Sequence, residues 1–260
     1  MQYSTKRIDK ELESEHFKNL FAIKHELSDM SLERLEAAIQ ENKHDQIIRY
    51  CLDLRNSYFS VADWLLAAET DYAEVKRYYY LAAQASFQAY QLVRAGFPHH
   101  MREGAGPYNF KKRNINFTKD AILANDFELA HSIAGDDTVE GLLVMGEYER
   151  AQRVLPQDPL TIQDKLNLCC WAIAHQDQAT FDKALQERIK VLRRQGGHCV
   201  IVLDSWGLAM IHLARRRGMT CKLNVIELPW QRLDDTPVNK NGLEFPFEAE
   251  LQEIIQNKGK

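Results

Sequence analysis

The chain has 260 residues and a formal net charge of −4 at pH 7, and 45% of its residues are hydrophobic. This length can bury a full hydrophobic core, but the mildly negative charge argues against a nucleic-acid-binding protein, which usually has a strongly basic face. No stretch approaches the roughly 20 uninterrupted apolar residues of a membrane span, and the charged N-terminal residues lack the apolar core of a secretory signal.

Helical periodicity dominates the first part of the chain. A charged amphipathic helix is predicted from about Thr5 to Leu27, and Ser31 is a candidate N-cap that opens a shorter helix. A longer and more apolar helix is predicted from Asp45 to Glu69.

The next predicted helix begins after Asp71, a candidate N-cap, and runs to Ala95. Gly96 then supplies the stop. Because only a short break at Thr70 separates two long helices, we expect them to pack as an antiparallel hairpin.

The helical pattern fails over residues 97–117. This stretch contains prolines, glycines and a run of basic residues, and it therefore predicts a long loop. A loop of this length inside a compact domain is usually functional or disordered.

Three segments of the rear half resemble one another: residues 124–135, 145–156 and 175–186. Each places a small polar turn before an aromatic residue, followed by acidic residues and an alanine. This order is common in the second helix of tetratricopeptide-like hairpins, although the period here is irregular. The pattern favours stacked short helical hairpins, and the alternative is an irregular helical bundle.

The run from His198 to Trp230 predicts a buried central helix followed by an extended segment. The helix is apolar over much of its circumference, carries Arg215–Arg217 in its last turn and stops at Gly218. Residues Cys221–Ile226 then alternate in a strand-like period that Pro229 breaks.

Together these patterns predict one all-α domain over residues 1–260. The front subregion, 1–96, consists of long helices, the loop covers 97–117, and the rear subregion covers 118–260. We expect the rear subregion to be α-solenoid-like, with short hairpins followed by a short C-terminal strand and a closing helix after Leu233.

No Gly-rich phosphate loop, nucleophile elbow or zinc motif occurs in the sequence. We therefore predict no catalytic residues, no cofactor and no metal ligands. One alternative is an all-α metal phosphohydrolase that uses His44 and Asp45 with upstream His16 and His25, because imidazoles and carboxylates can hold a divalent metal that activates water. Asp45 is more simply interpreted as the N-cap of its helix.

The five cysteines are odd in number and lack the spacing of a metal or redox motif. Cys169 and Cys170 are adjacent within an apolar helix, where small core residues are the simpler interpretation. This usage predicts a soluble, reduced, cytoplasmic protein.

Acidic residues accumulate between Asp120 and Glu149, a stretch without lysine or arginine. One interpretation is a solvated face in which Asp126 and either Asp136 or Asp137 cap helices. The other is an anionic docking surface for a basic protein, because clustered carboxylates accelerate the encounter with a cationic partner. The candidate partner-binding residues are Asp126, Glu128, Asp136, Asp137, Glu140, Glu147 and Glu149.

The C-terminal run LDSWGLAMIHLARRRGMTCKLNVIELPWQRL resembles the tail of bacterial polymorphic-toxin immunity proteins, specifically immunity family 49. In that family a helix of the form LALxxLAxxRGL leads into a short extended segment and a proline. The preceding EGLLVMGEYERAQRVL is similar in style, and the resemblance is clearest from about Asn125 to Leu233.

This resemblance implies a cytoplasmic protein without enzymatic activity that binds one cognate toxin domain in a complex of about 1:1 and occludes its active site. The alternative function is a helical-repeat adaptor that binds peptides or several partners. Tyrosines 78–80 wrap around their helix, so self-association stays open as well.

Overall fold

A computed structural model describes residues 15–68, 71–97, 115–195, 203–225 and 227–258. Within these ranges the chain forms eleven α-helices and two short 3-10 turns, without a β-strand, so the fold is all-α as the sequence predicts. The helices are α1 (Glu15–Gln40), α2 (His44–Ala67), α3 (Tyr72–Arg94), α4 (Ile115–Leu123), α5 (Phe127–Ala134), α6 (Val139–Val144), α7 (Tyr148–Val154), α8 (Lys165–His175), α9 (Gln178–Gln195), α10 (Ser205–Arg216) and α11 (Glu248–Asn257).

The three long helices form the front half. α2 and α3 pack along their length, and α1 packs on α2. The ring of His44, at the start of α2, lies against that of Phe97 just after α3, while Phe59 contacts Tyr79 midway along both helices. These pairings make α2 and α3 the predicted antiparallel hairpin.

The predicted ends of α3 are confirmed. The Asp71 side chain accepts a hydrogen bond from the Ala73 backbone N–H at 3.1 Å. Gly96 has a φ of +79°, in the left-handed region that glycine enters without strain. Local sequence chemistry therefore sets where this helix begins and ends.

Two N-cap predictions in the front half are wrong. Ser31 lies inside the continuous helix α1 and is buried, because it falls on the same face as the buried Leu35. Asp45 lies in the first turn of α2, whose N-cap position is Lys43. The part of the predicted first helix before residue 15 lies outside the described residues.

The rear half is a stack of short helices in which each of α4 to α9 packs on the next. Tight turns with a positive φ at Asn125, Gly146 and Gln176 reverse the chain between them. Asp126 caps α5 as predicted, but Thr138 caps α6, so Asp136 and Asp137 are not its caps. Most of the predicted 97–117 loop lies outside the described residues, and its end is wrong because α4 already begins at Ile115.

α10 is the predicted central helix and packs on both α4 and α8. It begins at Ser205, and Asp204 is its N-cap. Gly218, with a φ of +78°, follows its end. The segment from Cys221 to Val225 is irregular, and the predicted strand is wrong because no second strand pairs with it among the described residues. The closing helix α11 packs on α3.

Most of the cysteines lie in the core: Cys51, Cys169, Cys170 and Cys221 are buried and carry free thiols. The core interpretation of the adjacent pair is thereby confirmed. Burial raises the pKa of the Cys51 thiol to about 12. No helix in the described part of the chain is both long and apolar enough to cross a membrane.

Packing between α6 and the turn before it depends on Gly141. A Cβ atom at this position would lie 2.0 Å from the backbone oxygen of Gly135. We expect Gly141→Ala to lower the free energy of unfolding by about 2–3 kcal/mol or more, because the backbone must move to relieve the clash. Chemical denaturation followed by circular dichroism measures this. Ser132→Ala, on the exposed side of α5, is the control and should change stability by less than about 0.5 kcal/mol; equal effects of the two substitutions would contradict this close packing.

Candidate functional site

One of the seven predicted partner-binding carboxylates is buried, and a second is partly buried. Asp126 is 5% exposed, its Oδ1 accepts a hydrogen bond from the Leu129 backbone N–H at 3.1 Å, and its Oδ2 lies 2.7 Å from the Lys240 ammonium. Glu140 is half-buried, and desolvation raises the pKa of its carboxyl. The Asp126 side chain is therefore not available to a docking protein.

The other five lie at the surface of α5, α6 and α7 and the turns that join them. Asp136 Oδ1 lies 2.9 Å from His131 Nε2, and Glu147 pairs with the Arg150 guanidinium in the first turn of α7. Met145, in the turn between α6 and α7, is 50% exposed. We call this set the short-helix surface; its members are Glu128, Asp136, Asp137, Met145, Glu147 and Glu149.

Cations from α10 reach the same three helices. Arg216 donates a hydrogen bond to the Val144 carbonyl at 2.7 Å, and its guanidinium lies 3.7 Å from the centre of the Phe127 ring. The guanidinium of Arg217 lies 4.0 Å from the centre of the Tyr148 ring. The short-helix surface is therefore less negative than its own stretch of sequence suggests.

A buried charge cluster joins the front and rear halves where α2 meets α4. Arg55 donates to both carboxylate oxygens of Asp120, at 2.8 and 3.2 Å. The Lys119 ammonium lies 3.1 Å from Asp120 Oδ1 and 3.3 Å from the centre of the Phe59 ring. Asp120 is fully buried, so two cations surround one carboxylate in a site of low polarity.

A second carboxylate, Asp63, completes the cluster between α3 and α10. Its Oδ1 accepts a hydrogen bond from Tyr79 Oη at 2.6 Å, and its Oδ2 accepts one from Ser205 Oγ at 3.1 Å. Desolvation raises the pKa of Asp63 to about 6, and desolvation also lowers the pKa of Lys119.

A carboxyl with a raised pKa near a lysine with a lowered pKa is also found in acid–base sites. Here the donors Tyr79 and Ser205 occupy both oxygens of Asp63, and both come from the packed core. We therefore interpret the cluster as a structural link between α2, α3, α4 and α10.

The histidines of the alternative metal site lie against aromatic rings. The centre of the His44 ring is 4.5 Å from that of Phe97, and the His25 ring meets the edge of Tyr78 at 5.8 Å. In the described ranges, no group of three or more His, Cys, Asp or Glu side chains is placed to hold a metal ion. The His16 side chain lies outside the described residues.

The buried charge cluster was not predicted from the sequence, although Arg55 gave one signal of it. Arg55 follows Cys51 by four residues and precedes Tyr58 by three, which places it on the buried stripe of α2. A charged residue on such a stripe needs a buried partner. The sequence does not say which one, because Asp120 lies 65 residues away.

Comparison with known protein families, with curated proteins and with solved structures finds no match to this chain.

The raised pKa of Asp63 predicts a pH-dependent effect of substitution. The ordinary pKa of this carboxyl is 3.8, so Asp63 holds its proton more tightly in the folded protein than in the unfolded chain. This tighter proton binding stabilises the fold fully below about pH 3.8, and the stabilisation is lost as the pH rises through about 6. Asp63→Asn cannot ionise, so we expect its free energy of unfolding relative to the wild type to increase by up to about 3 kcal/mol between pH 4 and pH 7.5. Lys119 and Asp120 face the same carboxyl and set the size of the effect.

Denaturant titrations of both proteins at several pH values measure this difference. Asp137→Asn, at an exposed carboxylate, is the control for the loss of one charge. A difference between Asp63→Asn and the wild type that stays constant across this pH range would show that the folded protein does not hold the Asp63 proton more tightly.

Proposed function

We propose that this chain is an immunity protein that binds a toxin domain of a bacterial polymorphic-toxin system and occludes its active site in the cytoplasm of the producing cell. The short-helix surface is the observation that supports this proposal best. It combines five surface carboxylates with the half-exposed Met145 on three consecutive helices.

The inner faces of those helices are packed in the hydrophobic core. Leu142, Leu143 and Val144 of α6 and Ala151 of α7 are almost completely buried. A surface that is already ordered loses little conformational entropy when it binds. The carboxylates would speed the encounter with a basic toxin domain and set its orientation, while Met145 would supply an apolar contact at closest approach.

The short-helix surface is suited to binding a basic toxin domain. Enzymes that act on nucleic acids carry cationic grooves for the phosphate backbone, and such a groove complements a carboxylate-rich surface. A toxin of this class that acts in the cytosol would be neutralised when the groove is covered.

A helical-repeat adaptor remains the second candidate, and the stacking of α4 to α9 favours it. Repeat proteins of this kind use extended surfaces to bind peptides. The adaptor would bind several partners with micromolar affinity, whereas the immunity protein would hold one partner tightly.

Affinity purification of the tagged chain from its host, with mass spectrometry, separates these two functions. We expect one dominant partner that is toxic when expressed alone, is neutralised by co-expression and forms a complex of about 1:1 by light scattering. Several partners of similar abundance, or a dominant partner without toxicity, would contradict the immunity function.

Charge reversal tests the surface itself. We expect Asp136→Lys combined with Asp137→Lys to slow association with the purified partner about tenfold or more and to flatten its dependence on salt. Stopped-flow or surface-plasmon measurements at several ionic strengths measure both effects. The control is Glu250→Lys with Glu253→Lys on α11, which packs on α3; an association rate that both double variants change equally would remove the short-helix surface from the interface.

A further inference from the structure

The helix α1 has an unusual distribution of side chains around its circumference. The face that packs on α2 buries Ser28 and Ser31, which are 5% and 7% exposed. Beside this face, Ile23, Leu27 and Met30 are exposed by 45%, 38% and 41%. Over these two turns the helix therefore buries hydroxyl groups and exposes large apolar side chains, which is the reverse of the usual arrangement.

The three exposed apolar side chains form one stripe. Residues 23, 27 and 30 follow the spacing i, i+4, i+7, so they lie within a sector of about 60° and along about 10 Å of the helix. This spacing is the one by which a helix engages a partner through its anchor residues. We call this set the α1 stripe.

A row of carboxylates runs along one side of the α1 stripe. Glu26, Asp29, Glu33 and Glu36 are all exposed and follow the spacing i, i+3, i+7, i+10. Between Glu26 and Glu36 the only cationic residue is Arg34. The exposed face therefore combines apolar anchors with a strongly negative edge.

The charges beside the α1 stripe determine which kind of partner could bind there. A second copy of the chain would place two acidic rows against each other, and a nucleic acid or an anionic membrane would be repelled in the same way. A helix with apolar residues on one face and lysine or arginine beside them satisfies both the stripe and the row. We propose that the α1 stripe, together with the acidic row on its solvent side, is a docking site for a basic amphipathic helix of a partner protein.

This site does not depend on the function proposed above. α1 packs on α2, whereas the short-helix surface is carried by α5 to α7. A partner helix could therefore occupy the α1 stripe whether or not the short-helix surface binds a toxin.

A synthetic peptide of about 18 residues, or five helical turns, tests the site. The peptide carries leucines at i, i+3, i+4 and i+7 with lysines on the flanking positions, and its binding to the full chain is measured by fluorescence anisotropy. One comparison peptide has the same composition in shuffled order, and another has glutamate in place of lysine. We expect the first peptide to bind and each comparison peptide to bind at least about tenfold more weakly.

Variants of the full chain locate the binding. Leu27→Asp, and separately Glu26→Lys with Glu33→Lys, should each weaken the first peptide at least about tenfold, since they remove an anchor and the attracting charge. Val191→Asp, at an apolar position of α9 that is 41% exposed, and Glu250→Lys with Glu253→Lys are the matched controls and should leave affinity within about twofold. Circular dichroism checks folding, and Leu27→Ser replaces Leu27→Asp if the latter is unfolded.

Three results would overturn the proposal. They are equal binding of the ordered and shuffled peptides, unchanged affinity in the Leu27 variants, and a dimer in sedimentation velocity that Leu27→Asp dissociates, which would make a second copy the occupant. If Leu27→Asp loses peptide binding but still forms the toxin complex, the docking site on α1 is supported and the toxin binds at a separate surface. Peptide binding without any toxin partner would leave the site standing and remove only the immunity function.

Discussion

The arrangement of the whole molecule depends on the buried pair of Arg55 and Asp120. Arg55 belongs to the front hairpin and Asp120 to the first short helix of the rear half, and their side chains meet through two hydrogen bonds. Removing either partner would leave an uncompensated charge in the core, which is far more costly than an exposed unpaired ion. Buried ion pairs of this kind contribute little net stability, but their hydrogen bonds need the two elements to be aligned. This pair therefore favours one placement of the short-helix stack on the hairpin, together with the packing of α3 on α4.

Buried ion pairs also occur around α10 and the irregular segment that follows it. Lys76 of α3 is 2% exposed and lies 2.6 Å from Asp234, and Arg188 of α9 donates to both oxygens of Asp204, the N-cap of α10. The cap leaves no room for a side chain at position 207, because a Cβ atom on Gly207 would lie 2.6 Å from Asp204 Oδ2. The N-terminus of α10 thus has room only for the backbone, the cap and its arginine.

Periodicity predicted most of the helices, because the alternation of buried and exposed positions along a helix is a local property of sequence. It failed where local signals are ambiguous: serine favours N-cap positions, yet Ser31 is buried inside α1 on the face that packs on α2. The alternation from Cys221 to Val225 was correct as a burial pattern, since Cys221 is buried and Lys222 is exposed. It did not make a strand, because pairing needs a second strand and the Leu223 carbonyl instead accepts the indole N–H of Trp230 at 2.7 Å. The Arg55–Asp120 partnership was beyond sequence reasoning because it is a property of the assembled helices.

The placement of charge connects this internal architecture to the two surfaces. Arg55, Lys119 and Asp120 are buried, and the half-buried Asp63 lies beside them; their formal charges sum to zero, so they add nothing to the net charge of −4. That charge is therefore carried elsewhere, and two stretches are unusually rich in carboxylates: residues 26–36 and 120–149. In both, exposed apolar side chains lie near the carboxylates: Leu27 and Met30 in the first stretch and Met145 in the second. Sequences that are otherwise consistent with their fold tend to depart from the usual rules of side-chain burial where they have a function. The helix α1 departs from them furthest, because it buries Ser28 and Ser31 while Ile23, Leu27 and Met30 stay exposed.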